Sequence, residues 1–376
     1  MKHFYHTTKK YLWLACIVIV VVLASCQATN KHPGQREVTD MAGRTMLVPD
    51  TIHRAFMNKP GTLLLYAIDP GLAVCRTLWQ NKISQPYLDS AYMALPYTDG
   101  AVEEIVKMKP EVIISYFTIN EQSIEQANML AGKTGIPVFM VEMDMTAYPK
   151  TFDILGKLLR REAQTDRMDA FVHTYLSAIA ARAARIPDSM RVKVYYAEGE
   201  CGLQTDPSGS WHSQVIDFVG GINVAQVETL PEKGMSQVSM EQILMWDPDV
   251  VLCWTGMGKS LSTYQCVNTD KVWKSLPAVK SGNVYQIPCV PYGWIDRPPG
   301  TNRIIGTVWM ANLLYPDVFP YDMKAVTSEY FEIFYHITLT EEQLDEVLNP
   351  VPEDLQVSHG QIKPLNPMKG TNGLQE

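Results

Sequence analysis

Eight residues stand out for the chemistry they share: Lys59, Tyr116, Trp211, Trp254, Lys259, Tyr292, Trp294 and Arg297. Aromatic faces of this kind wall a planar or catecholate-like ligand. The three cations meet carboxylates, phosphates or the anionic oxygens of a chelate, Arg297 through a planar fork and the lysines as point charges. Tyr292 and Trp294 flank Gly293, whose backbone lets a ligand approach closely. Packing within the body is an equal use for any single ring, and Asp296 is an equal partner for Arg297.

Other chemistries fit less well. The body holds His53, His173, His212 and His336 without paired spacing. A bare transition metal needs several His and carboxylate ligands in one shell, so no metal site is expected. His212 alone is a candidate axial ligand to haem iron. Molybdate or tungstate is a rival ligand that Lys59 and backbone amides could hold. No GxSxG, Walker A, strand-linked GxGxxG or HExxH pattern occurs, so neither catalytic residues nor a cofactor are expected. Gly256-Met257-Gly258-Lys259 echoes a phosphate loop but lacks its spacing. An unrecognised extracytoplasmic hydrolase and a purely structural surface lipoprotein are the readings from other classes. The formal charge is -8. Setting aside Lys2, Lys9 and Lys10 leaves 29 basic against 40 acidic side chains, about -11, with no basic patch for nucleic acid.

The front of the chain fixes the compartment. Residues 1–25 read as an export signal: three lysines, an apolar run over 11–24, then Leu23-Ala24-Ser25-Cys26. That ending resembles the bacterial lipobox, which implies a diacylated Cys26, a membrane-anchored lipoprotein and a place in the periplasm or cell envelope. The run is shorter than the ~20 residues that span a bilayer. Residues 26–36 read as the lipidated cysteine and a polar tether. Five cysteines stay in the body, and a single bridge among Cys253, Cys266 and Cys289 is the expected disulfide option.

The elements that must position the eight residues alternate short apolar runs with amphipathic helical stretches. Strands are expected at 55–57, 112–115, 138–141, 192–196, 250–253 and 284–287, each followed by helix. That order predicts parallel sheets with helices on both faces. Residues 148–186 carry helical periodicity without an internal proline after Pro149, which predicts one long helix. The α/β architecture is therefore two Rossmann-like lobes, 37–147 and 187–350, joined by the single helix 148–186, with a ligand cleft between them and a disordered tail at 351–376. Ligands in such sheets sit beyond the carboxyl ends of the strands, and the eight residues come from loops chosen by that rule.

Six stretches, in order, carry a family resemblance. Thr39-Asp40-Met41-Ala42-Gly43-Arg44, then 102–114 with its Lys109-Pro110-Glu111 corner, and Gly135-Ile136-Pro137-Val138 cover the first lobe. Val219-Gly220-Gly221-Ile222-Asn223, then 238–251, and 273–285 cover the second. Together these resemble the helical-backbone class of periplasmic substrate-binding proteins, which serve iron-siderophore, haem and cobalamin ABC importers. The resemblance covers 37–348. It implies a small hinge motion, a metal-chelate ligand of ferric-siderophore type, a monomer, and a permease with its ATPase as partner. It also implies one docking carboxylate per lobe, falling on Glu103 and Glu241, with Glu104 the neighbouring register for the first.

Overall fold

The computed structural model describes residues 33–78, 82–228, 234–254 and 262–350. Among these, the expected strands form two parallel sheets. The first has β3 (Ala55–Met57), β4 (Val112–Phe117) and β5 (Val138–Glu142) in the order 3-4-5. The second has β6 (Lys193–Ala197), β8 (Ile222–Asn223), β10 (Val250–Cys253) and β11 (Val284–Gln286) in the order 11-10-6-8. Two small antiparallel pairs complete the strands: β1 (Gln35–Thr39) with β2 (Thr45–Pro49), and β7 (Gln204–Thr205) with β9 (Ser236–Gln237). The opening hairpin turns around one side chain. Buried Asp40 accepts from the backbone N–H groups of Ala42, Arg44 and Met140 and pairs with the Arg44 guanidinium, which closes the turn and pins it to β5.

The helices follow in chain order. The first half carries α1 (Thr62–Ile68), α2 (Val102–Met108) and α3 (Glu121–Thr134). The middle carries α4 (Tyr148–Leu159), α5 (Glu162–Val172) and α6 (Ala178–Ala183). The second half carries α7 (Gln214–Phe218), α8 (Met240–Trp246), α9 (Ser262–Thr269), α10 (Asn302–Leu314), α11 (Met323–Phe334) and α12 (Glu341–Leu348).

One unit occurs twice. Helix α2 leads into β4 as α8 leads into β10, and the two helices share the same pattern of buried and exposed positions, with Ile105 and Ile243 inward. Both end in a left-handed residue, Lys109 (φ 51°) and Asp247 (φ 45°), each followed by proline. Then an acid takes over. Glu111 accepts from the Arg54 N–H at 3.0 Å and Asp249 from the Lys193 N–H at 2.8 Å, fixing the register of each strand beside its neighbour.

The single linking helix is not formed. Arg160 adopts φ 54° and its N–H bonds to the Gly156 carbonyl, closing α4 with a left-handed cap. After this corner α5 packs beside α4, where Gly156 leaves room: a Cβ there would overlap Thr165 Oγ1 and stand 3.3 Å from Glu162 Cα. A π-helical turn, His173–Ser177, then joins α5 to α6. Glycine is the usual left-handed cap, so an arginine in that role leaves no mark in the periodicity.

Helices α9 and α11 were not anticipated. Residues 323–348, expected with the second lobe, return to the first half: α11 packs on α1 and α5, Tyr66 meets Tyr335, and the Tyr87 hydroxyl donates to Glu346 at 2.9 Å. One apolar core accordingly runs from Val112 and Ile114 through Phe152, Leu155 and Phe171 to Val194, Leu252 and Ile304. Smaller clusters cover the outer face of each sheet.

Candidate ligand site at the strand ends

Parallel pairing places the carboxyl ends of β6 and β10 side by side, with the Trp254 N–H bonded to the Ala197 carbonyl at 3.0 Å. The next residue after Ala197 is Glu198. These two ends flank Arg297, which reaches them from the long segment after β11. Its Nη2 donates to Glu198 Oε1 at 2.8 Å and to Asp206 Oδ2 at 2.9 Å; its Nε donates to Glu198 Oε1 at 3.2 Å and lies 3.2 Å from Asp296 Oδ2. The guanidinium carbon stands 5.0 Å from the centre of the Trp254 ring. All three carboxylates are fully buried, while the arginine side chain keeps 16% of its surface exposed. Its Nη1 amino group bonds no described residue.

Burial opposes the guanidinium charge, but Asp296 and Glu198 beside it outweigh that and leave its pKa above the ordinary value. Burial pushes Glu198 the other way, well above a normal carboxyl; Arg297 pulls it back, and Asp206 and Asp296 add to the rise. Glu198 therefore holds its proton to higher pH than an ordinary carboxyl does. Since its folded pKa exceeds its ordinary 4.5, the stability it contributes is full below pH 4.5 and disappears as pH rises through the folded value. Glu198→Gln keeps an oxygen for Arg297 and offers an N–H to Asp206. The variant should match or exceed the parent's stability at pH 8, and the parent should gain on it as pH falls to 4.5. Chemical denaturation across that range checks this; a difference independent of pH would refute the assignment.

The group Asp206, His212 and Asp296 has donor atoms within 4.8 Å of one another, a spacing that suits a metal ion. Two of its carboxylates are already bonded to Arg297, so the guanidinium holds the cation's place. His212 Nδ1 donates to Asp296 at 2.7 Å, and Nε2 is buried without a partner among the described residues. Trp211 stacks on the His212 ring at 3.7 Å.

The structure divides the eight expected residues. Arg297 and Trp254 come together, Trp211 lies nearby through His212 and half-buried, and Lys59 is exposed after β3. Tyr116, Tyr292 and Trp294 are core residues instead. Tyr116 is fully buried, its hydroxyl between Met143 O and the Arg303 guanidinium. Trp294 is 1% exposed and donates its indole N–H to Val290 O at 3.1 Å. Their loops fold inward because 291–303 packs on the first half: Ser84 donates to Pro291 O, and Tyr148 to Gly300 O at 2.8 Å. Lys259 lies outside the described residues, as do Cys26, the tether up to 32 and the tail from 351. Sequence reasoning missed Glu198 and Asp206. The strand-end rule reaches Glu198, which directly follows β6.

The disulfide also differs from expectation. Cys201 pairs with Cys266 across 65 residues, and Cys253 is buried and free in β10. Separation along the chain says nothing of which loops the sheet brings together. Glu103 and Glu241 are exposed in the first turns of α2 and α8. Glu104 is engaged by the Thr98 hydroxyl, which leaves Glu103 as the free acid of that pair.

A two-lobed α/β body with a clamped, part-open cation at its strand ends is the build of a solute receptor. The model for the periplasmic binding protein family matches residues 61–290, and the chain belongs to that family. Its members are transport components of ABC importers, not enzymes, and they act in the periplasm with a permease and ATPase. The chain is similar in structure to an ABC transporter solute-binding protein from Sulfurospirillum deleyianum, with TM-score 0.76, 30% identity, and coverage of 83% of this chain and 98% of that one. In sequence it is 23% identical over 357 residues to the molybdate-binding protein MolA of Haemophilus influenzae, covering 87% of this chain and 96% of that one. It is also 23% identical over 292 residues to the high-affinity heme uptake system protein IsdE of Staphylococcus aureus, covering 76% and 91%.

Proposed function

We propose that this substrate-binding protein delivers an anionic metal chelate of ferric-siderophore type to its importer, and that acyl chains on Cys26 hold it at the membrane. The observation that carries the reading is Arg297, fixed on one side by Glu198 and Asp206, backed by the Trp254 indole, and left with Nη1 for an anionic oxygen. A guanidinium held this way loses little further freedom on binding. Trp211 and Trp254 are half-buried rings that suit a flat catecholate, and Lys59 adds a cation from the first lobe.

Molybdate is the second reading, favoured by the Haemophilus relative's long match. A tetrahedral oxyanion takes donors from several sides, whereas the described side chains of this cluster offer one guanidinium amino group, so the chelate comes first. Haem is less suited, because His212, the candidate axial ligand, has its Nε2 buried. Native mass spectrometry of residues 27–376 with ferric chelates, haem, cobalamin and molybdate tests this. A one-to-one adduct with a ferric chelate supports the proposal; an adduct with molybdate alone replaces it.

We further place permease docking on Glu103 and Glu241, one on each copy of the repeated helix. Its own backbone amide, then Ser239, holds the Glu241 carboxyl below its ordinary pKa and hence charged. Glu103→Arg with Glu241→Arg should abolish uptake in whole cells while ligand affinity of the purified protein stays within about twofold, since surface charges of this kind contribute little to the fold. Unchanged uptake would remove the assignment. Cys26→Ser should release the protein from the membrane fraction and end palmitate labelling.

A further inference from the structure

Ligand affinity depends on how firmly Arg297 is clamped, and its two walls belong to segments that diverge after the sheet. Glu198 stands on the turn that follows β6, and Trp254 directly follows β10, from which the chain goes on to α9. That turn is poorly determined by its own backbone: Gly199, Cys201 and Gly202 have φ of 66°, 56° and 75°, and a left-handed cysteine is unfavourable unless something outside holds it. From its own lobe the Tyr195 hydroxyl donates to Gly202 O at 2.7 Å, and the remaining holds on Gly199 and Cys201 come from beyond Trp254. Thr263 Oγ1 donates to Gly199 O at 2.8 Å, Trp273 Nε1 donates to Cys201 O at 3.1 Å, and Cys201 is bonded to Cys266 of α9 with a Cα–Cα distance of 5.2 Å.

We infer that the Cys201–Cys266 disulfide is a positioning element of the ligand site, tying the Glu198 turn to the segment after Trp254 so that Arg297 stays clamped between them. The inference rests on the reading of Arg297 as the anion-binding group, but its geometry is testable without any ligand. Glu198 is only three residues from Cys201, and the Cys201 turn is bonded back to the strand end through the Glu198–Gln204 backbone pair at 2.8 and 3.1 Å. Loosening the turn therefore moves the carboxylate that Arg297 uses twice. The buried thiols of Cys75 and Cys253 make no such link.

The test compares the mature protein with Cys201→Ser/Cys266→Ser. The first readout is the Arg297 Nε–H resonance in a nitrogen–proton spectrum, assigned by its loss in Arg297→Lys. In the oxidised protein it should be sharp and slow to exchange; in the double serine variant it should broaden or exchange at least tenfold faster, with circular dichroism unchanged. The second readout is affinity for a ferric tris-catecholate complex, and separately for molybdate, by tryptophan quenching. The double variant should bind about tenfold more weakly, and adding Trp254→Ala should weaken it no further than Trp254→Ala alone, because both act through one clamp. An unchanged Arg297 resonance, an unchanged affinity, or losses that multiply would overturn the inference. If the wild type binds neither probe, the ligand proposal fails, and the resonance alone still decides the positioning role. Should the serine variant not fold, the same spectrum of the wild type reduced with a phosphine below its melting temperature takes its place, with the same outcomes.

Discussion

Arg297→Ala should be the most damaging single change to the site, for ligand binding and for the fold together. Loss of a charge-assisted hydrogen bond to ligand costs about 1.5–3 kcal/mol, which is ~10- to 100-fold in affinity. The fold suffers separately. Without the guanidinium, Asp206 and Asp296 face each other buried, with Glu198 against them and no Arg partner for any of the three. Breaking a buried pair by removing one partner costs roughly 3–5 kcal/mol. Calorimetric titration and thermal unfolding measure the two losses. Arg297→Lys separates them: a lysine restores charge but not the two-nitrogen grip on Glu198, so stability should recover in part while affinity stays low. An alanine variant as stable as the parent would refute the cost assigned to the unpaired carboxylates.

Gly306→Ala should be nearly as costly without touching the ligand. A Cβ at this position of α10 would overlap the carbonyl oxygen of Trp294 and stand 2.5 Å from its carbonyl carbon. Both atoms are backbone, so no side chain can turn aside. Overpacking a tight interface usually costs 1–3 kcal/mol, and a clash against main chain belongs at about 3 kcal/mol or more. Relief would come from pushing α10 away from the 291–298 segment, which carries Arg297 at its end. Thermal unfolding should show the loss, and affinity should fall in the molecules that remain folded. The same substitution at Gly199 meets only the side chain of Gln204, so there the left-handed backbone sets the cost. A Gly306→Ala protein with the parent's melting temperature would show that the helix contact is looser than drawn.

These two residues show how legibility varied along the chain. Arg297 was readable because a cation in a loop beyond a strand end is a local pattern, and Trp254 because it ends an apolar run. The matching exposed positions of Glu103 and Glu241 were readable because the chain states the same helix–corner–strand unit twice, down to the acid after the proline. The partners of Arg297 were not. Glu198 and Asp206 lie 99 and 91 residues before it, and no periodicity links such positions. Tyr292 and Trp294 show the opposite error. An aromatic pair around a glycine looks the same in sequence whether it faces a cleft or, as here, packs against a helix through Gly306.

By itself the sequence determined the alternation of strand and helix, the parallel sheets and the repeated unit, since each depends on residues within a few turns of one another. The tertiary structure alone decided that 148–183 bends at Arg160, that the last helices return to the first half, that Cys201 chooses Cys266, and which of eight candidates share a site. Those outcomes are contacts between segments tens of residues apart. Their free energies come from burial and charge pairing that exist only once the two sheets have set the distances.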